Sequence, residues 1–210
     1  PPPPSYPDAE GAARLREALL GADYREAALT ALLQLPDLSG LRPGLRPVLR
    51  RRAAGDAPLA VLTRLFALGD RVPAAQVEAA LGAAPLAAAK SAGLLAASDD
   101  AVYTTVQLVP LRVASQDLVI ASDFSGASDL PSDHVMGLAA STRKLLGLTV
   151  RRRVARVVDL GTGCGVHALA AAGHADQVIA TDVNARAIAM ARGNAQLNQL
   201  ADRVTCRQGD

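Results

Sequence analysis

Three glycines at alternate positions, Gly161, Gly163 and Gly165, follow the β-branched run Val154, Val157, Val158 and the acid Asp159. An Ala-rich stretch over 166–172 comes next. Strand, glycine loop, helix is the nucleotide-binding half of a βαβ unit. Glycines let the backbone turn sharply and approach a ligand with no Cβ in the way. The spacing narrows the ligand. The dinucleotide fingerprint G-x-G-x-x-G, counted from Gly161, puts its third glycine where Val166 stands. Here the third glycine comes one position early, and a carboxylate precedes the first by two. Asp159 would repel a pyrophosphate and hold a ligand that carries an ammonium. The run before it predicts a parallel strand covered on both faces.

The next elements follow the same plan. Residues 177–182 form a short apolar run ending in Asp182. That acid lies about twenty residues past the glycines, where nucleotide-binding βαβ units place the carboxylate that accepts ribose hydroxyls. Asn184 can cap the following helix, predicted over 185–200. Ile188, Ala191, Ala195 and Leu200 fall on the side of that helix facing the sheet, and Arg186, Arg192, Gln196 and Asn198 on its polar side. Residues 203–210 read as a third strand ending in Gly209 and Asp210.

At these residues the chain resembles the class I S-adenosylmethionine-dependent methyltransferases, whose first motif has the form D-x-G-x-G-x-G. Their cofactor carries an ammonium, a sulfonium and a ribose but no phosphate. Val-Asp-Leu-Gly-Thr-Gly-Cys-Gly over 158–165, with Ala-Arg-Gly-Asn-Ala-Gln-Leu-Asn over 191–198, looks most like the branch of release-factor glutamine and small-subunit ribosomal RNA guanine methyltransferases. The resemblance covers about residues 150–210. It implies that Asp159 holds the methionine part. Leu160, Gly161, Thr162, Gly163 and Gly165 would let the backbone approach the cofactor. Asp182 and Val183 would take the ribose, and Asp210 the adenine amino group. The reaction implied is in-line methyl transfer to a nitrogen of a translation factor, RNA or DNA, helped by positioning. The family sheet has seven strands, of which three are expected here. The family's N-P-P-(Phe or Tyr) motif lies after its fourth strand, so no catalytic residue is assigned. The chain, which starts at Pro1, reads as a piece of a longer protein and is expected to be inactive alone. Two rivals are a nicotinamide-dependent enzyme, disfavoured by Val166 and Asp159, and a nucleic-acid binder with a degenerate fold.

Composition sets outer bounds. Half the chain is hydrophobic, enough for a globular core. A net charge of +2 is too small to imply nucleic acid. Aromatics at 2%, with no Trp, argue against base-stacking platforms. Cys164 and Cys206 fit no metal spacing and read as small packing residues of a cytoplasmic protein. His134, His167 and His174 form no ligand cluster in sequence. No unbroken apolar run approaches the ~20 residues of a membrane helix.

Ahead of the cofactor unit, the predicted fold class is α/β with an α-rich, winged-helix-like N-terminal part. Residues 1–53 hold a Pro-rich tail (1–4) and helices over 8–20 and 23–35, with Arg50, Arg51 and Arg52 at a solvated helix end. In 54–112, helices over 58–68, 74–81 and 86–92 precede strands at 94–95 and 102–109. This order resembles a winged helix, but the would-be reading helix offers Lys90 as its only base, too little for phosphate neutralisation. Packing or substrate docking is the favoured role. Residues 113–150 are a connecting segment, with a short strand at 118–121 and a helix over 133–146. Residues 151–210 are the partial methyltransferase domain, with Arg151, Arg152 and Arg153 at the solvated approach to its first strand.

Overall fold

The computed structural model describes residues 6–124 and 130–209. The expected tail at 1–4 and Asp210 lie outside them. Helix α1 (Ala9–Gly21) starts where the Asp8 carboxylate accepts the Gly11 N–H at 2.8 Å, satisfying a donor that helix geometry leaves free. α2 (Glu26–Leu33) stops at Gln34, which adopts a left-handed conformation. After α3 (Arg46–Arg52), Pro58 opens α4 (Pro58–Leu62), which runs into a π-helical turn at Thr63–Ala67. β1 (Val72–Pro73), α5 (Ala74–Leu81), α6 (Ala83–Ser91), β2 (Leu95–Ser98) and β3 (Ala101–Thr104) follow. Their strands pair antiparallel in the order β1-β3-β2.

β4 (Gln107–Val113) and β5 (Gln116–Ser122) form a separate hairpin that runs across residues 112–113. The single strand expected over 102–109 is therefore two strands in two sheets. Thr104 turns the chain between them: its hydroxyl donates to the Val106 carbonyl at 2.8 Å. Helix α7 (Ala140–Leu148) is shorter than expected, because 133–139 is irregular and its backbone bonds to other elements instead. β6 (Val154–Leu160), α8 (Val166–Ala171), β7 (Ala175–Asp182), α9 (Ala185–Leu197) and β8 (Val204–Gln208) complete the chain, with a parallel sheet in the order β6-β7-β8.

One core joins the parts. Leu15, Leu19, Tyr24 and Phe66 share a buried cluster with Ile120, Leu169, Val178 and Ile188. Tyr24 meets Phe66 edge to face at 6.2 Å, and its hydroxyl donates to the Leu108 carbonyl at 2.8 Å. α1 packs on both α6 and α9. Glu26 clasps two elements, accepting the Arg112 N–H at 2.6 Å and pairing with Arg143 of α7 at 2.6 Å.

Two expectations fail here. β6 is not covered on both faces: Val158 is 57% and Leu160 73% exposed. It pairs with β7 alone, and α8 covers one side only. Arg186 and Asn198 do not lie on a solvated side of α9 but are buried, because that side faces the hairpin and the segment after it. The arginines at 50–51 and 151–153 are exposed, as expected.

Candidate active site: the glycine loop and its second wall

The loop after β6 is held by its glycines and by two acids. Gly161, Gly163 and Gly165 have φ of +68°, +55° and +84°, a region that costs other residues energy. A Cβ on Gly165 would also stand 3.0 Å from the Ala191 Cβ, whereas Gly161 and Gly163 have open space above them. The first two glycines therefore serve backbone conformation and ligand approach, and the third also serves the packing of α9.

Asp159 points its Oδ2 into the loop. It accepts the Thr162 hydroxyl at 2.7 Å and the Ala168 N–H at 3.0 Å. The second bond occupies a free donor in the first turn of α8, where a negative charge is favoured. Asp182, at the end of β7, accepts the Gly163 N–H through Oδ2 and the Asn184 N–H through Oδ1, both at 2.9 Å. Asn184 caps α9 by accepting the Arg186 N–H. The two strand-end acids thus lock the loop before any ligand arrives, and each carboxylate oxygen keeps lone-pair capacity. Leu160, the last residue of β6, and Val183, just past β7, are exposed. Cys164 is buried, which pushes its thiol up to about 11 although the Val166 N–H opposes the shift. It is a packing residue, as expected, and so is Cys206.

A cleft of about 300 Å³ opens over the loop. Gly161, Gly163 and Asp182 line one side, and His134, Met136 and Thr142 the other. The second wall was missed by sequence reasoning, which placed 133–139 in a helix. Its anchor is Asp123, just after β5. The Asp123 carboxylate accepts Arg186 Nη2 at 2.6 Å, Arg186 Nε at 3.2 Å and the Val135 N–H at 2.9 Å. Burial alone would raise its pKa, but these bonds and the Arg186 charge outweigh it and hold the carboxyl below the usual range. Also missed was Tyr6. Its ring lies over Gly193, where a Cβ on that residue would stand. A lone aromatic beside a Pro-rich tail gives no periodic signal. Among the described residues, no group of three or more His, Cys, Asp or Glu could hold a metal ion, and no helix is long and apolar enough to cross a membrane.

Strand, glycine loop and helix, with an acid ending each of two adjacent parallel strands, define the cofactor half of a class I methyltransferase domain, and residues 143–209 are a segment of one. Enzymes of that class take their methyl group from S-adenosylmethionine. Within it, residues 143–209 match the family described as ribosomal protein L11 methyltransferase (PrmA). Residues 21–105 match a second family, described as a domain of unknown function, DUF7059. A ribosomal protein L11 methyltransferase of Rhodopseudomonas palustris is 34% identical over 208 residues, 93% of this chain and 64% of its own length. One from Desulfitobacterium hafniense is 51% identical over 55 residues, 26% of this chain and 18% of its own. A release factor glutamine methyltransferase of Bordetella pertussis is 49% identical over 61 residues, 28% of this chain and 22% of its own. The chain thus spans 18% to 64% of the length of these relatives. Likeness to the solved precorrin-8w decarboxylase of Methanobacterium thermoautotrophicum (36% identity over 36% of this chain and 42% of that one) has a TM-score of 0.33, so the assignment rests on sequence.

Proposed function

We propose that the chain supplies the cofactor-binding half of an S-adenosylmethionine-dependent methyltransferase that acts on a nitrogen of a protein side chain. The observation that carries this reading is the locked loop. Gly161, Gly163 and the Asp182 carboxylate line one cleft, with open space above the two glycines, while Asp159 holds the loop from behind through Thr162 and Ala168. A dipolar ligand with an ammonium, a diol and no phosphate meets complementary groups there. Asp159 and the loop would take the methionine part, Asp182 the ribose, and Asp210 the adenine. These groups bind and orient the donor; the methyl moves from sulfonium to nitrogen, and the chain's contribution is preorganised placement.

A protein acceptor is favoured over a nucleic acid. A second hollow, of about 230 Å³, adjoins the cleft and shares Met136 and Gly137 with it. Leu38, Leu41, Val109 and Gln107 line it with a single base, Arg42, and no aromatic ring. Such a wall suits an extended peptide and offers neither stacking surface nor phosphate neutralisation. The order α4-β1-α5-α6-β2-β3, read as a winged helix, would dock that partner through surfaces other than α6. α1 lies against α6, with Gly11 close to Ala88, so α6 is engaged where a reading helix would need to be free. The names of the relatives, which speak of a ribosomal protein and a release factor, agree with a protein acceptor.

The test is to incubate the full-length protein with cell lysate and methyl-tritiated cofactor. Label that protease removes and nuclease leaves is the expected result. Nuclease-sensitive label would move the acceptor to nucleic acid.

A further inference from the structure

The glycine loop supplies one wall of the cleft, and the segment 133–137 supplies the other without belonging to any regular element. It is nevertheless tightly held. Asp123 N–H donates to the Val135 carbonyl at 3.1 Å, and Val135 N–H returns a bond to the Asp123 carboxylate at 2.9 Å. The Asn184 side-chain amide donates to the Asp133 carbonyl at 3.0 Å. His134 sits between these two anchored residues, and its own N–H donates to the Pro131 carbonyl at 3.0 Å. Its side chain is only 9% exposed, lines the cleft, and places Nδ1 3.7 Å from Asp123 Oδ2.

The anchors also say which end of the cleft His134 occupies. Asn184, which holds Asp133, follows Asp182 by two residues and donates its own N–H to that carboxylate. His134 therefore lines the same cleft as Asp182, the acid read above as the ribose acceptor. Each Asp182 oxygen already accepts one backbone N–H, and a ribose presents two hydroxyl donors. Each oxygen keeps one lone pair, and a second acceptor on the same cleft would share the diol with Asp182.

The geometry points to His134 as a cofactor-contacting residue that accepts a hydrogen bond from a ribose hydroxyl, opposite Asp182. Asp123 lies on the Nδ1 side of the ring, which leaves Nε2 as the nitrogen available to a ligand. Arg186, held on the same carboxylate, keeps Asp123 ionised and in place. This assignment rests on the reading of the cleft as an S-adenosylmethionine site.

Calorimetry on the full-length protein with S-adenosylhomocysteine, and with its analogue lacking the ribose hydroxyls, tests it. His134→Ala is expected to weaken S-adenosylhomocysteine binding about tenfold and to leave the weaker binding of the analogue unchanged. His134→Gln, which carries a side-chain oxygen near the Nε2 position, restores most of the loss. His134→Asn, which can mimic only the Nδ1 side, does not. Rescue by Asn but not Gln, or equal loss for both ligands, would make His134 a support for the wall and overturn the contact. Wild-type protein that binds neither ligand would overturn the cofactor reading itself, and this contact with it. Wild-type binding that His134→Ala leaves intact would overturn the contact alone.

Discussion

Asp182 holds the loop, and on the proposed reading it also takes the ribose, so one substitution tests both. Its carboxylate bridges Gly163 N–H and Asn184 N–H and faces the cleft. Replacing it with Ala loosens the loop and removes the charged acceptor proposed for the ribose. S-adenosylmethionine affinity of the full-length protein should fall about ten- to a hundredfold, equivalent to roughly 1.5–3 kcal/mol, as calorimetry would show. Unchanged affinity would remove Asp182 from the site. Tyr6 and Gly193 make a second case at this scale. The Tyr6 ring lies where a Cβ on Gly193 would be. Gly193→Ala should destabilise by about 1–3 kcal/mol through overpacking, although Ala is the better helix former by about 1 kcal/mol. In Tyr6→Ala protein the same change should become neutral or stabilising, because the ring is gone. A denaturant-melt double-mutant cycle reads that coupling, and additive effects would show that the ring does not occupy this space in solution.

At the scale of elements, α9 does more than flank the sheet. Asn194 and Asn198 stand one helical turn apart and so face the same way. Asn194 accepts the Ala121 N–H and donates to the Ala121 carbonyl, both at 2.8 Å. Asn198 repeats the pattern on Val119 at 2.8 and 2.7 Å. Two side-chain amides thus stand in for a neighbouring strand along the free edge of β5, which would otherwise present unpaired backbone groups. Asn194 also donates to the Cys164 carbonyl at 2.8 Å, so one side chain ties the hairpin, α9 and the glycine loop together. Asn194→Ala leaves a buried N–H and two carbonyls without partners and should cost about 2–4 kcal/mol of stability. Asn194→Asp, which keeps the acceptor and loses both donors, should also destabilise. Urea denaturation followed by circular dichroism would measure both, and a loss below about 0.5 kcal/mol for the alanine variant would mean water replaces the amide.

For the whole molecule, the open side of β6 is the telling feature. Val158 and Leu160 are large, apolar and exposed, and no described strand pairs with β6 on the side away from β7. Parallel strands are rarely left this way. We expect further chain to complete the sheet there, including an apolar strand ending in Asn-Pro-Pro-Phe or Asn-Pro-Pro-Tyr. An amide or base amino nitrogen is a poor nucleophile because its lone pair is delocalised. A side-chain amide oxygen beside two rigid prolines would hold it in line with the methyl. Sequencing the gene beyond these residues checks this. Absence of the motif with the remaining strands present would redirect the acceptor to oxygen, carbon or another nitrogen while leaving the cofactor site intact.

The sequence by itself determined what depends on a few adjacent residues. Positive φ at Gly161, Gly163 and Gly165 is written in glycine, the β-branched run before them makes a strand, and the cap at Asn184 starts α9. The interval from loop to Asp182 follows from one crossover helix between parallel strands, so both acids and the loop are legible in the order of residues alone. Tertiary structure alone decided which polar groups turn inward. Asn194, Asn198 and Arg186 carry the same residue types as solvated helix positions. They are buried because their partners, Ala121, Val119 and Asp123, lie 73, 79 and 63 residues away. The second wall at 133–137 has the same origin: it forgoes a helix because Asp123 and Asn184 satisfy its backbone better. Local preferences reach a few residues along the chain, whereas a buried hydrogen bond is decided by whatever the fold brings opposite it.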